Sequence, residues 1–329
     1  MLILGYVLLV VKIGIVLAVL LGFAAYLILI ERKLLGRLQI RFGPNRAGPF
    51  GIWQPIADGI KMILKEDIIP AAADRLVFKY APAVVATVAI LIFAVVPFAD
   101  SLSLWGSQIP MVISNLNVGL LYVLALSSIS VYGVALGGWA SNSKYSLLGG
   151  MRGAAQMISY ELPLGLSLVP VVMLAQSFSL VDIVNAQARY PFILLQPVAF
   201  VIFLISSVAE AKRLPFDMPE AENELNAGYH TEFSGMRFAL YFIGEYVHMI
   251  VLGALLAVFF LGGWRGPILP PIVWFLIKMS LIPFFLIWSR ASLPRLRYDQ
   301  LMHFGWKFLI PISLLNIVIT GGVILWIKS

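Results

Sequence analysis

Residues 2–30 read LILGYVLLVVKIGIVLAVLLGFAAYLILI, an apolar run in which Lys12 is the only charged side chain. A helix needs about 20 apolar residues to cross the roughly 30 Å hydrocarbon core of a bilayer. The run exceeds that length, outlasts the apolar region of a secretory leader and lacks a small-residue cleavage site, so it reads as a first membrane span. The remainder repeats the pattern. Of 329 residues, 61% are hydrophobic and 12% charged, with a mean hydropathy of +0.95. Soluble domains have roughly 45–50% apolar and about 25% charged residues. A single aqueous core cannot hide this much apolar surface, so lipid must be the solvent. Apolar runs at about 3–30, 79–97, 116–138, 154–175, 196–211, 237–261, 272–290 and 308–327 predict an all-α integral membrane protein of about eight transmembrane helices, with residues 1–329 forming a single polytopic membrane domain. The fifth run is short and ends in acid and base, so it is expected to stop below the surface.

Lysine and arginine set the orientation. The first loop carries nine of them, from Arg32 to Lys79, and the third adds Lys144 and Arg152. The fifth contributes Lys212, Arg213 and Arg237, and the seventh Arg290, Arg295, Arg297 and Lys307. The even-numbered loops hold only Arg189 and Arg265. The odd loops are therefore expected on the cytoplasmic side and both termini on the periplasmic side. The net charge of +7 is then the positive-inside signature rather than a nucleic-acid footprint. Absence of Cys excludes thiolate-ligated metal, cysteine-bound iron–sulfur clusters and disulfides in this chain. His230, His248 and His303 are too scattered to suggest a metal site.

Two cytoplasmic loops are unusual. In the loop 31–78, the stretch 51–65 (GIWQPIADGIKMILK) places Ile52, Ile56, Ile60, Ile63 and Leu64 near one helical face, with Asp58, Lys61 and Lys65 elsewhere. Too short to span and charged on one side, it is expected to be an amphipathic helix lying in the interface. The competing reading is a surface helix packed on other protein. The loop 210–236 begins EAKRLPFDMPEAENELNAGYHTE, in which Pro215 and Pro219 prevent a continuous helix. Charge inside a span costs roughly 2.5–3.5 kcal/mol on insertion scales, so each case needs a reason. Glu161 and Glu245 lie a short way into the fourth and sixth runs from the cytoplasmic side, and Glu210 closes the fifth. The three can converge if those helices pack together. With Asp217, Glu220, Glu222 and Glu224 they would form an acidic path into the bilayer, in which crowding raises carboxyl pKa values towards neutrality. Pro163 frees backbone groups that would help hydrate the path. Lys12 and Lys278 are expected to snorkel, and His248 to be a packing residue. GGMRG at 149–153 reads as a small-residue helix start. The charges Glu31, Arg32 and Lys33 are expected to end the first span, pairing locally or lining a portal.

Four segments together resemble a known family: ERKLLGRLQIRFGPNRAGPFGIWQPIADGIKMILKED (31–67), GWASNSKYSLLGGMRGAAQMISYE (138–161), EAKRLPFDMPEAENELNAGYHTEFSGMRFALYFIGEY (210–246) and RASLPRLRYDQLM (290–302). They are similar to the H-type membrane subunit of bacterial respiratory complex I, the NADH:quinone oxidoreductase. Leu296, where proline is expected, is the one small departure. The resemblance implies a membrane anchor that forms the quinone-access chamber, without activity by itself. Its substrate would be quinone, and it would bind no cofactor. FMN and iron–sulfur clusters would reside in partner subunits, among them hydrophilic subunits closing the quinone site, alongside other complex I membrane subunits. It implies a quinone-binding role for Arg32, Arg41, Phe42, Arg46 and Trp53. It implies proton coupling through Glu161, Glu210, Asp217, Glu220, Glu222, Glu224 and Glu245. The implied location is the bacterial cytoplasmic (inner) membrane. The rival readings are the homologous subunit of a membrane-bound hydrogenase or formate-hydrogenlyase complex, which the fuller RFGPNR and KYSLLGGMR motifs disfavour, and a stand-alone secondary transporter, for which no internal repeat is found.

Overall fold

The computed structural model describes residues 2–104 and 107–328, except the side chains of residues 2–5, 102–104, 107–109, 222, 223 and 328. Helix α1 (Leu2–Leu38) leads to the short α2 (Gln54–Leu64) and then to α3 (Arg75–Ile92). Strands β1 (Ser101–Leu104) and β2 (Ser107–Pro110) form an antiparallel hairpin before α4 (Gly119–Ala140) and α5 (Lys144–Ala175). Short helices α6 (Leu180–Ala186) and α7 (Phe192–Leu195) precede α8 (Pro197–Glu210). A single turn, α9 (Glu222–Leu225), interrupts the acidic loop before α10 (Gly235–Phe260). The chain ends with α11 (Pro271–Met279), α12 (Leu281–Ser292), α13 (Tyr298–Phe304) and α14 (Ile310–Lys328).

The protein is a multi-pass membrane protein. Among the described residues, seven helical segments are long and apolar enough to span: 6–38, 75–95, 119–140, 144–175, 235–260, 271–292 and 298–327. The fifth apolar run forms only the 14-residue α8, about 21 Å long, shorter than the hydrocarbon core. Helices also outrun the apolar stretches. The helix does not end at Glu31–Lys33 but continues to Leu38, and α5 begins at Lys144, ten residues before its apolar run. Hydropathy marks where lipid is; backbone hydrogen bonding keeps the helix going beyond it. The last span starts at Tyr298 and runs through a π-helical turn at Gly305–Leu309.

Helix α10 is the pillar of the bundle. It is apolar on all sides, and Tyr246 through Phe260 are buried except for His248, which is partly so. An all-round apolar helix belongs inside a bundle rather than against water. α3, α11, α12 and α1 pack around it. Its Gly253 lies against the break between α11 and α12, where a Cβ would stand 2.2 Å from the Met279 carbonyl oxygen. Helix α2 buries none of its residues, and Ile56, Ile60, Ile63 and Leu64 are all exposed. The apolar face points away from this chain's own core, as either an interfacial helix or one covered by another protein requires. Arg32 ties α2 to α1 through a 2.7 Å ion pair with Asp58.

The two lysines expected to snorkel do something else. Lys12 donates to the backbone carbonyls of Pro110 and Val112 below the hairpin. Lys278 donates to those of Leu261, Gly263 and Arg265. Each ammonium satisfies loop carbonyls rather than reaching for water, which answers the need for partners in a dry setting.

Gly253→Ala is expected to destabilise the detergent-solubilised chain by about 1–3 kcal/mol through overpacking against backbone that cannot yield. Gly59→Ala, where an added Cβ meets nothing within 4 Å, should leave the thermal melting curve unchanged or slightly raised.

Candidate functional site

The acidic loop folds back onto the bundle, and three backbone features make this possible. Helix α8 stops when Lys212 adopts a left-handed conformation, φ 52°, which turns the chain inward. Gly228 has φ 61°, and a Cβ there would lie 1.7 Å from the Pro219 carbonyl oxygen, so glycine alone fits the turn. Gly149 of α5 receives the returning loop: a Cβ there would sit 2.7 Å from the Tyr229 amide nitrogen. The GGMRG segment is thus a packing surface for the acidic loop rather than merely a helix start. Gln156, fully buried on α5, fixes the loop by donating to the carbonyls of Ala209 and Phe216, both at 2.6 Å.

Consecutive cations Lys212 and Arg213 then enter the protein and meet carboxylates from different helices. Lys212 lies 3.0 Å from Glu245 of α10, with both side chains only 5% exposed. Tyr229 donates to the same Glu245 oxygen. Arg213 lies 3.4 Å from Glu31 of α1, which also takes a 2.6 Å ion pair from Arg290 of α12 and a 2.7 Å hydrogen bond from Tyr246. Asp217 is paired with Arg295 at 3.0 Å.

On the other side of Glu245, two successive serines of α4 serve two carboxylates. Ser127 donates to Glu210 at 2.6 Å, and Ser128 donates to Glu161. His248 Nε2 is 3.4 Å from Glu210. A cavity of about 20 Å³ lies between Glu210 and His248 on one flank and Lys212 and Glu245 on the other, with Ser130 and Met157 in its wall. That volume admits about one water, which needs roughly 10–15 Å³. Among the described residues, Glu210 Oε2 is buried without a hydrogen-bond partner, and His248 Nε2 has only its ion-pair contact with the other Glu210 oxygen. Buried polar atoms of this kind are normally satisfied, and a water in the cavity would satisfy them.

A second, larger cavity of about 360 Å³ opens between α1, α2 and α10, within the roughly 300–1,000 Å³ range of small-molecule sites. Its wall is mostly apolar, including Ile28, Met62, Phe238 and Phe242, with Arg32 and Asp58 at one edge. Tyr246 also lines it, so the hydroxyl that bonds Glu31 belongs to a residue of the cavity wall.

A family model described as NADH dehydrogenase matches residues 11–321. The chain is 67% identical over 322 residues to an H-type NADH-quinone oxidoreductase subunit of Syntrophobacter fumaroxidans, covering 98% of this chain and 97% of that protein. It is 61% identical over 320 residues to the corresponding NADH-quinone oxidoreductase subunit of Syntrophotalea carbinolica, covering 97% of each. A third relative, an H-type NADH-quinone oxidoreductase subunit of Geobacter sulfurreducens, is 62% identical over 316 residues, covering 96% of each. The chain belongs to this family of NADH-quinone oxidoreductase membrane subunits.

Of the acidic residues expected on a path, the structure brings Glu161, Glu210 and Glu245 together as the packing of α4, α5, α8 and α10 requires. Glu220 and Asp217 lie on the loop close enough to Glu245 to feel its charge. Glu224 stands apart, 57% exposed and paired with Arg152 at 2.6 Å. The side chain of Glu222 lies outside the described residues. Of the residues expected at the quinone site, Arg32 alone lines the α1–α2–α10 cavity. Arg41, Phe42 and Arg46 are exposed on the preceding loop, with Arg41 bonded to Gln39, and Trp53 is exposed beside Gly48 at the start of α2.

Sequence reading missed the cations of this site. The sequence suggests crowded carboxylates; what forms is an alternation of signs in which Glu31, Glu245 and Asp217 each face a cation. His248, expected to be a packing residue, faces Glu210. The adjacency of Glu210, Lys212 and Arg213 was the available signal. The crowding argument holds for Glu220: burial first, then the charges of Glu245 and Asp217, push its carboxyl up to about 8 against the opposing pull of Arg213 and Lys212. Burial also raises Asp217, with Arg295 pulling the other way.

Breaking a buried pair by removing one partner costs about 3–5 kcal/mol; Lys212→Met should therefore lower the melting temperature in detergent markedly. Lys212→Met combined with Glu245→Gln should recover much of the loss. Because the folded pKa of Glu220 lies above its unfolded value, its contribution to stability is present at low pH and fades as pH rises through about 8. Infrared difference spectra should accordingly show a protonated-carboxyl band that disappears between pH 7 and 9 (about one unit either side of that value), and Glu220→Gln should lack it.

Proposed function

We propose that this chain is the membrane subunit of a proton-translocating NADH:quinone oxidoreductase that forms the quinone-access chamber and couples quinone reduction to proton movement. The observation that carries the reading is the connection between the two cavities. Tyr246 lines the apolar one and bonds Glu31; Glu31 pairs with Arg213; the next residue back, Lys212, pairs with Glu245 at the water-sized cavity shared with Glu210. A change of charge at a bound headgroup has a short polar route to the carboxylates within the membrane.

The α1–α2–α10 cavity is the portal in this reading. Its apolar wall suits an isoprenoid tail arriving from lipid, and the Arg32–Asp58 pair stands where a polar headgroup passes. The exposed loop with Arg41, Phe42, Arg46 and Trp53 would meet the hydrophilic subunits that close the chamber and carry the iron–sulfur clusters and FMN. A quinone gains protons as it gains electrons. Glu220, held protonated near neutral pH by its surroundings, is suited to give one up when a nearby charge changes. Glu245, Glu210 and Glu161 would pass the change on across the water-sized cavity and the serine contacts, and the other membrane subunits would continue it. The basic odd loops favour a bacterial inner-membrane orientation with both termini periplasmic. The relatives' names favour a quinone-linked complex over a hydrogenase.

Glu161→Gln, Glu220→Gln and Glu245→Gln should each depress coupled quinone reduction and proton pumping several-fold. Electron transfer from NADH to artificial acceptors on the hydrophilic arm should be unchanged. Normal pumping and quinone reduction in all three would overturn the relay. A photoreactive quinone analogue should label α1, α2 or α10; label confined to other helices would remove the portal.

A further inference from the structure

A third cavity, of about 380 Å³, lies towards the opposite end of α1, along α11, beside Ile250 in the middle of α10 and Phe93 just after α3. Its wall is apolar, with Val16, Phe23, Phe93, Ile250 and Met279 among the lining side chains, and Lys12 is its only charged residue among the described ones. Val11, Ile15 and Val19 of α1 border it and are themselves more than half exposed, so it opens sideways, where lipid lies, rather than into the bundle.

Two lengths place it in the bilayer. At about 1.5 Å per residue, Lys12 and Arg32 stand about 30 Å apart along α1, the thickness of the hydrocarbon core. If Arg32 marks the cytoplasmic boundary, Lys12 marks the outer one. From Lys12 to Phe23, at the inner end of the groove, is about 16 Å, close to half the core. The groove follows α1 from Leu8 to Phe23. Its cation stands about one turn from the outer end, and the stretch from there inward, with no other charge among the described residues, is about one leaflet long.

That cation has capacity left. Two of its three N–H groups are taken by the carbonyls of Pro110 and Val112, which fix the amine in place but leave its charge intact. No carboxylate among the described residues is within ion-pair distance of it. A fixed cation without an anion at a membrane interface attracts anionic lipid. We infer that the α1–α3–α10–α11 groove is a binding site for an anionic phospholipid of the outer leaflet, its phosphate at Lys12 and one acyl chain along α1 towards Phe23. It is separate from the quinone portal, which opens at the cytoplasmic end of the same helix. The lipid would fill a surface defect and brace the hairpin through the residue that holds it.

The test uses membranes containing the assembled complex, equilibrated with phosphatidylglycerol bearing a photoreactive group near the end of one acyl chain, or with the matching phosphatidylcholine probe. Labelled peptides are mapped by mass spectrometry. Phosphatidylglycerol should label residues around Phe23, Ile250 or Met279 several-fold more than phosphatidylcholine does. Lys12→Gln should abolish that preference, and Lys12→Arg should keep it, which separates charge from folding. Val16→Trp, which fills the groove and leaves Lys12 intact, should remove label from both probes at these positions. Equal labelling by the two lipids, a preference that survives Lys12→Gln, or crosslinking of the groove to a helix of another subunit would overturn the site.

Discussion

The arrangement rests on two adjacent cations, Lys212 and Arg213, held inside a membrane protein by carboxylates from two different helices. An ion removed from water costs several kcal/mol even after relaxation, and a lone one is not tolerated. Arg213 therefore cannot settle without Glu31 of α1 and Lys212 cannot settle without Glu245 of α10. Once both pairs form, the end of α8 is fixed between those helices. Arg290 brings α12 to the same Glu31, and the loop is committed to lie across the bundle. Folded any other way, the loop would leave buried charges in lipid or in apolar protein.

The same pairs bear on function. A row of bare carboxylates would mostly protonate and fall silent, because like charges at close range suppress ionisation. Interleaving cations keeps charge available in the interior while leaving one carboxyl, Glu220, near its transition at physiological pH. In the proposed coupling role, a perturbation at the apolar cavity would shift the balance of charge among these neighbouring groups. Tyr246, in the cavity wall and hydrogen-bonded to Glu31 at once, places the charged cluster directly beside the apolar cavity.

Much of this was legible without coordinates. Apolar runs located the spans because the hydrocarbon core sets a minimum length for any helix that crosses it. The amphipathic stretch ending at Leu64 was legible because one face of it must be wet. Glu161, Glu210 and Glu245 stood out because carboxylates in spans are rare and costly. Less was legible where an outcome depended on partners distant in sequence. The break at Ser280 between α11 and α12 and the pairing of β1 with β2 have no hydropathy signature. Lys12 and Lys278 read as charges seeking water, since nothing in the local sequence says that loop carbonyls will be waiting for them. Glu224, in the same acidic run as Glu220, turned outward to Arg152, a distinction that no spacing rule contains.

The sequence by itself determined the solvent of this protein, the course of its spans and the presence of acid within them, because each follows from the transfer energies of residues taken in short windows. Only the tertiary structure decided which acid meets which cation, which carboxyl stays protonated and which cavities connect. Those outcomes depend on contacts between residues as far apart as Glu31 and Arg290. Over such separations, the pairing is set by how helices pack rather than by anything the intervening chain encodes locally.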